Sequence, residues 1–126
     1  MSRNILVVDD DPAMVRTLCD ILRLRGWDAM GVHSGEAALR EGGQTNYAFV
    51  LMDIMMPGMD GVSTLKAIRQ TRPSAQVVLM TAHTAQERIA EAIREGAVQV
   101  VTKPIDLPSL IDLLDHTDGA ASALQT

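Results

Sequence analysis

The 126 residues fit one ordinary domain and leave no room for two. Apolar residues make up 47% and charged residues 21%, which provides a core and excludes a chain disordered throughout. A formal net charge of −5 excludes a bare polyanion binder, because affinity for a phosphate backbone comes from clustered Lys and Arg, so no direct nucleic-acid binding is expected.

Ile5-Leu6-Val7-Val8 is a continuous apolar run that ends at Asp9. It reads as a strand buried on both faces, as in a parallel sheet. It is far too short for a signal-peptide core or a membrane span, and nothing later reaches membrane length. Asp11 then stands as an N-cap before Pro12, which suits a first helical turn. Met14, Val15, Leu18 and Leu22 recur at helical spacing through Arg25, and Gly26 closes that helix. Cys19, the single cysteine, reads as a packed thiol on this helix; no internal disulfide can form, which suits a soluble protein of the cytoplasm. Trp27 is expected as a half-exposed cap contact.

Residues 28–32 form the second and weakest strand, near a sheet edge. Ser34 caps a short helix through Ala37, Ala38 and Leu39, and Gly42-Gly43 should stop it. Phe49-Val50-Leu51-Met52 is a third buried strand, ending at Asp53. Met56-Pro57-Gly58-Met59-Asp60-Gly61 is loop chemistry, and Val62, Leu65 and Ile68 carry a helix that ends before Pro73. Val77-Val78-Leu79-Met80 is the fourth strand, ending at Thr81. A helix from about Ala85 to Glu95 stops at Gly96. Residues 98–101 form the fifth strand, followed closely by Lys103. Leu107, Leu110, Ile111 and Leu114 line a last helix. Residues 1–116 thus read as the domain, and residues 117–126, small and polar, as a frayed end or the start of a linker.

Five strands alternating with five helices predict a doubly wound α/β sheet with helices on both faces. Ligands of such sheets sit beyond the carboxyl ends of the strands. Asp9, Asp10, Asp53, Thr81 and Lys103 all fall at strand ends, so the fold should gather them on one rim. Two carboxylates about 4 Å apart repel by roughly 4 kcal/mol at an effective dielectric near 20. A hard divalent cation with oxygen ligands relieves that repulsion, and Mg²⁺ commonly sits between carboxylates and a phosphoryl group. A carboxylate can itself accept a phosphoryl group. A lysine and a threonine hydroxyl supply the charge and hydrogen bond that phosphoryl oxygens need.

Val7-Val8-Asp9-Asp10-Asp11-Pro12, Asp53 with the following Met56-Pro57-Gly58-Met59-Asp60-Gly61, Thr81-Ala82 and Lys103-Pro104 together resemble the receiver domains of two-component response regulators. Any one of these motifs is weak; four in the right order, each at a strand end, are specific. The resemblance spans residues 4–116 and implies a flavodoxin-like sheet of strand order 2-1-3-4-5. It implies that Asp53 is the phosphoacceptor. It further implies that Asp10 ligates Mg²⁺ directly, Asp9 mainly through water, and Met55 through its backbone carbonyl, with Mn²⁺ a substitute metal. Thr81 and Lys103 would contact the phosphoryl group, and the Lys103-Pro104 bond would be cis. The implied donor is a histidine kinase or a histidine phosphotransfer protein, and the output goes to an effector domain or downstream protein. Monomer and homodimer both stay open. Such a domain is a switch that catalyses only its own phosphorylation and dephosphorylation, not an enzyme with a turnover substrate.

Val100 departs from the pattern, because family members often carry Tyr or Phe three residues before the lysine. A ring-rotamer switch is therefore unavailable. Met55 and His83 stand at positions that tune dephosphorylation in the family. His33 and His116 read as surface residues, and Met52, Met55, Met56, Met59 and Met80 as core and loop packing. The alternative is a small Mg²⁺-dependent phosphohydrolase of the haloacid-dehalogenase type, since Asp9-x-Asp11 imitates its nucleophile motif. That reading leaves Asp53 without a role and finds no acidic pair after Lys103.

Overall fold

The apolar runs pair side by side because each is short, apolar and bounded by turn chemistry. The computed structural model describes residues 3–44, 47–82 and 86–125, with the side chains of 43, 44 and 117–125 left aside. Strands and helices alternate in the order β1 (Asn4–Val8), α1 (Pro12–Leu24), β2 (Asp28–Val32), α2 (Gly35–Gln44), β3 (Phe49–Asp53), α3 (Gly61–Thr71), β4 (Gln76–Ala82), α4 (Gln86–Arg94), β5 (Gln99–Lys103) and α5 (Leu107–Gln125). All the strand pairs are parallel, and the sheet runs β2-β1-β3-β4-β5. This is the flavodoxin-like order.

Alternation along each strand feeds two cores. Ile5, Val7, Phe49, Leu51, Val78 and Met80 meet Leu18 and Leu22 of α1 and Leu110, Ile111 and Leu114 of α5. Leu6, Val8, Val50, Met52, Val77 and Leu79 meet Val62, Leu65 and Ile68 of α3, with Ala38 of α2 and Ala92 of α4. The register then sets the rim: Val8 lies beside Met52, Asp53 beside Met80, and Ala82 beside Lys103. The strand ends that carry Asp9 and Asp53 are neighbours for that reason, and the end of β5 that carries Lys103 lies one strand further along the same rim, beyond β4.

Local caps start the helices. Asp11 accepts from the Ala13 and Met14 N–H groups at 3.0 and 3.4 Å, and the Ser34 hydroxyl accepts from Ala37 N–H at 3.0 Å. Gly26 and Gly96 close α1 and α4 at φ +89° and +104°, a region other residues rarely enter.

The structure departs from the sequence expectations at several points. Trp27 is 3% exposed, not half-exposed: its ring meets Phe49 edge-on at 5.3 Å, and the Arg3 guanidinium covers it at 4.3 Å. α2 continues past Gly42-Gly43 to Gln44, and the Gly42 carbonyl accepts from Arg72 Nε at 2.9 Å. That tertiary bond helps offset the cost of glycine in a helix. β4 and β5 each run further than their apolar cores, taking in Thr81 and Lys103, because the ladder continues through Thr81 beside Thr102. α5 stays helical beyond His116 to Gln125, through a stretch with Ala120, Ala121, Ala123 and Leu124, all strong helix formers. His83, and Ala85 at the expected start of α4, lie outside the described residues.

Candidate functional site

Among the described residues, the rim gathers three carboxylates and one ammonium. Asp9, directly after β1, is 0% exposed, Asp53 at the end of β3 is 6% exposed, and Asp10 faces solvent. One carboxylate oxygen from each lies within 4.8 Å of the others. Lys103, ending β5, places Nζ 3.0 Å from Asp9 Oδ2 and 2.9 Å from Asp53 Oδ2 and donates to both. The remaining oxygens are held by backbone: Asp9 Oδ1 accepts from Asp11 N–H at 3.1 Å and Asp53 Oδ1 from Met55 N–H at 3.0 Å. The Lys103-Pro104 peptide is cis.

One ammonium against three carboxylates leaves surplus negative charge in a half-enclosed pocket. Burial pushes the Asp53 carboxyl above its ordinary range, against the pull of Lys103 and the Met55 N–H. Burial also opposes the charge on Lys103, but its bonds to Asp53 and Asp9 outweigh this and hold the ammonium above its usual pKa. The donor set is oxygen only, clustered, short of positive charge and open to water on the Asp10 side. It fits a small hard divalent cation that keeps part of its hydration shell.

The other expected site residues are placed less simply. Met55 reaches the pocket through its backbone N–H, while the residue as a whole is exposed. Thr81 is fully buried, and its hydroxyl donates to the Ala82 carbonyl at 3.0 Å. Val100 is partly buried against the core under α2, α3 and α4. His33 and His116 are exposed, and Met52 and Met80 are core. Asp11 caps the first turn of α1, its side chain accepting from the Ala13 and Met14 N–H groups, and it is not one of the three clustered carboxylates.

Two roles near the site are not read from the sequence, where Asp60 counts only as loop chemistry and Arg88 stands unmarked. Asp60 caps α3, accepting from Ser63 N–H at 2.8 Å, and also takes Arg88 Nη1 of α4 at 2.7 Å. An aspartate just before a helical pattern is a readable cap signal. The Arg88 contact crosses between helices and leaves no local signature.

A flavodoxin-like sheet with an acidic, lysine-bridged pocket at its carboxyl rim defines the class of this protein. A model of the response regulator receiver domain matches residues 5–115. The chain belongs to that family, the regulatory domains of two-component response regulators. It is 40% identical over 114 residues to the response regulator protein FleR of Pseudomonas aeruginosa, covering 90% of this chain and 24% of that protein. It is 37% identical over 107 residues to the transcriptional regulatory protein ZraR of Escherichia coli, covering 85% of this chain and 24% of that protein. The chain therefore spans about a quarter of the length of the curated relatives it matches. Among solved structures, the receiver domain of the Francisella response regulator 1452 matches with a TM-score of 0.83 and 28% identity, covering 90% of this chain and 94% of that one. No helix among the described residues is long and apolar enough to cross a membrane.

Proposed function

We propose that Asp53 accepts a phosphoryl group in a Mg²⁺-dependent reaction, and that the charge change at the rim switches the binding of an effector domain or downstream protein. The observation that carries this is the Lys103 ammonium lodged between Asp9 and Asp53 at 3.0 and 2.9 Å. A carboxylate oxygen of Asp53 attacks phosphorus, and the bond from phosphorus to the donor breaks in line. The donor is a phosphohistidine on a kinase or phosphotransfer protein, or a small acyl phosphate. Asp9, Asp10, Asp53 and the Met55 carbonyl would hold Mg²⁺, which when bound neutralises charge on the transferring group; Mn²⁺ would serve in its place. Lys103 gives up its bond to Asp53 for one to a phosphoryl oxygen. The Thr81 hydroxyl turns from the Ala82 carbonyl to donate to another. With Val100 in place of an aromatic ring, the output relies on movement of α4, β5 and α5. A histidine-kinase donor would put the domain in the cytoplasm.

Acetyl phosphate with Mg²⁺ is expected to add one phosphoryl group, seen as a single mass gain by intact-protein mass spectrometry. Chelation of divalent cations should slow the gain on the order of a hundredfold. No gain in the presence of Mg²⁺, or an equal rate in chelator, would sink the reading.

A further inference from the structure

Ile54, next to Asp53, is a structural junction. Its N–H donates to the Met80 carbonyl of β4 at 2.9 Å, and its carbonyl accepts from Gly61 N–H at 2.8 Å. The first turn of α3 is thereby fixed to the backbone that carries Asp53. Asp60 locks that turn, with Oδ1 on the Ser63 N–H and its carbonyl accepting from the Thr64 hydroxyl at 2.8 Å. Its other oxygen, Oδ2, accepts from Arg88 Nη1 in the first turn of α4 at 2.7 Å. Among the described residues, few other contacts hold α4. Ala92 is its one buried residue among those described, and Ile89 packs only in part.

We propose that the Asp60–Arg88 pair is a latch that holds α4 and the β3–α3 loop in the arrangement preceding phosphorylation, which makes both positioning residues for the site. The proposal rests on Asp53 being the phosphoacceptor. In the observed arrangement the Thr81 hydroxyl is turned onto the Ala82 carbonyl and Lys103 bridges two free carboxylates. Drawing that hydroxyl toward a phosphoryl group on Asp53 shifts the end of β4. The chain runs from there into α4, while Asp60 stays fixed to Ile54 through Gly61. The Arg88 contact must then stretch. A contact made in one arrangement only biases the population toward that arrangement, so losing it eases entry into the other.

The test compares acetyl phosphate uptake by Arg88→Ala, Asp60→Asn, Arg88→Lys and the Arg88→Ala/Asp60→Asn double variant, followed by mass in Mg²⁺. Asn keeps the helix cap through Oδ1 but sets an amide NH2 against the guanidinium, so Asp60→Asn removes both the charge and the acceptor of the pair while leaving the cap. Both single substitutions to a neutral residue are expected to speed uptake roughly three- to fivefold, within what a part-exposed ion pair supplies. Arg88→Lys should stay near wild type, and the double variant should be no faster than either single one. The two neutral variants change local charge in opposite senses. A simple field effect on an anionic donor would drive their rates apart, and a latch moves them together. Melting curves confirm that each variant is folded. Unchanged or slower uptake, rates moving in opposite directions, or additive effects in the double variant overturn the latch alone. A wild-type chain that takes no phosphoryl group overturns both the latch and the Asp53 assignment.

Discussion

Asp53→Asn is expected to take no phosphoryl group from acetyl phosphate and, in chelator at pH 7, to melt higher than the wild type. The first result follows because an amide oxygen is a poor nucleophile beside a carboxylate. The second follows from linkage. Burial raises the Asp53 pKa in the folded protein, so the folded state holds its proton more tightly than the unfolded chain does. At any pH above that raised value the carboxyl is ionised in both states, and its charge then disfavours folding. That handicap disappears as the pH falls through the raised folded value, so the gap between wild type and variant should close on acidification. A gain on the order of 1 kcal/mol, or about 4 °C, is the expected scale. Asn loses one of the two anionic partners of Lys103, but the ammonium keeps Asp9 at 3.0 Å. Lys103→Met should act in the opposite sense, melting lower because two buried carboxylates lose their shared cation. Mg²⁺ should stabilise the wild type more than Asp53→Asn, by up to about 2.7 kcal/mol at a hundredfold excess over Kd, and raise its melting point accordingly. Thermal melts in chelator from pH 4 to 7, and then in Mg²⁺, check all of this. A variant that melts below wild type in chelator, or a gap that widens on acidification, defeats the electrostatic account.

The sheet was legible because β1, β3 and β4 are short runs of consecutive buried apolar residues, each ended by a polar one. Parallel strands end on the same side, so Asp9, Asp10, Asp53 and Lys103 could be placed on one rim from their positions in the chain alone. Their roles toward a metal and a phosphoryl group came from the resemblance, and those roles are what the phosphorylation experiments address. Less visible were features set by partners distant in sequence. Trp27 looked like a cap contact because its neighbours are Gly26 and Asp28; Phe49 and Arg3 are what bury it. The glycine pair at 42 and 43 looked like a helix stop, and the Arg72 side chain that binds the Gly42 carbonyl lies 30 residues away. Arg88 carried no periodic or motif signal, since its meaning depends on where α3 begins. Local pattern reports elements and their ends; contacts between helices need the fold.

Gly61→Ala and Gly42→Ala are expected to move stability in opposite directions, although both glycines are helical. A Cβ on Gly61 would lie 2.5 Å from the Asp53 carbonyl oxygen and 2.6 Å from Ile54 Cα. Both are backbone atoms at the end of β3, so no side-chain rotation relieves the clash. The first turn of α3 must move off the strand, breaking the 2.8 Å bond from Gly61 N–H to the Ile54 carbonyl. Overpacking of this kind costs about 1–3 kcal/mol, and a strained junction directly behind the phosphoacceptor places this substitution at the upper end. A fall in Tm of roughly 8–12 °C is therefore expected, with slower uptake of phosphoryl from acetyl phosphate in whatever fraction stays folded. At Gly42 a Cβ meets nothing within 4 Å, and the bond from Arg72 goes to the backbone carbonyl, which alanine keeps. The substitution there should stabilise by about 0.5–1 kcal/mol, because alanine loses less conformational freedom than glycine on entering a helix. Denaturant melts of the two variants separate the effects. A Gly61→Ala protein as stable as wild type would mean that α3 does not bear on the Asp53 backbone, and the mechanical route from the pocket to α3 and α4 would lose its first link.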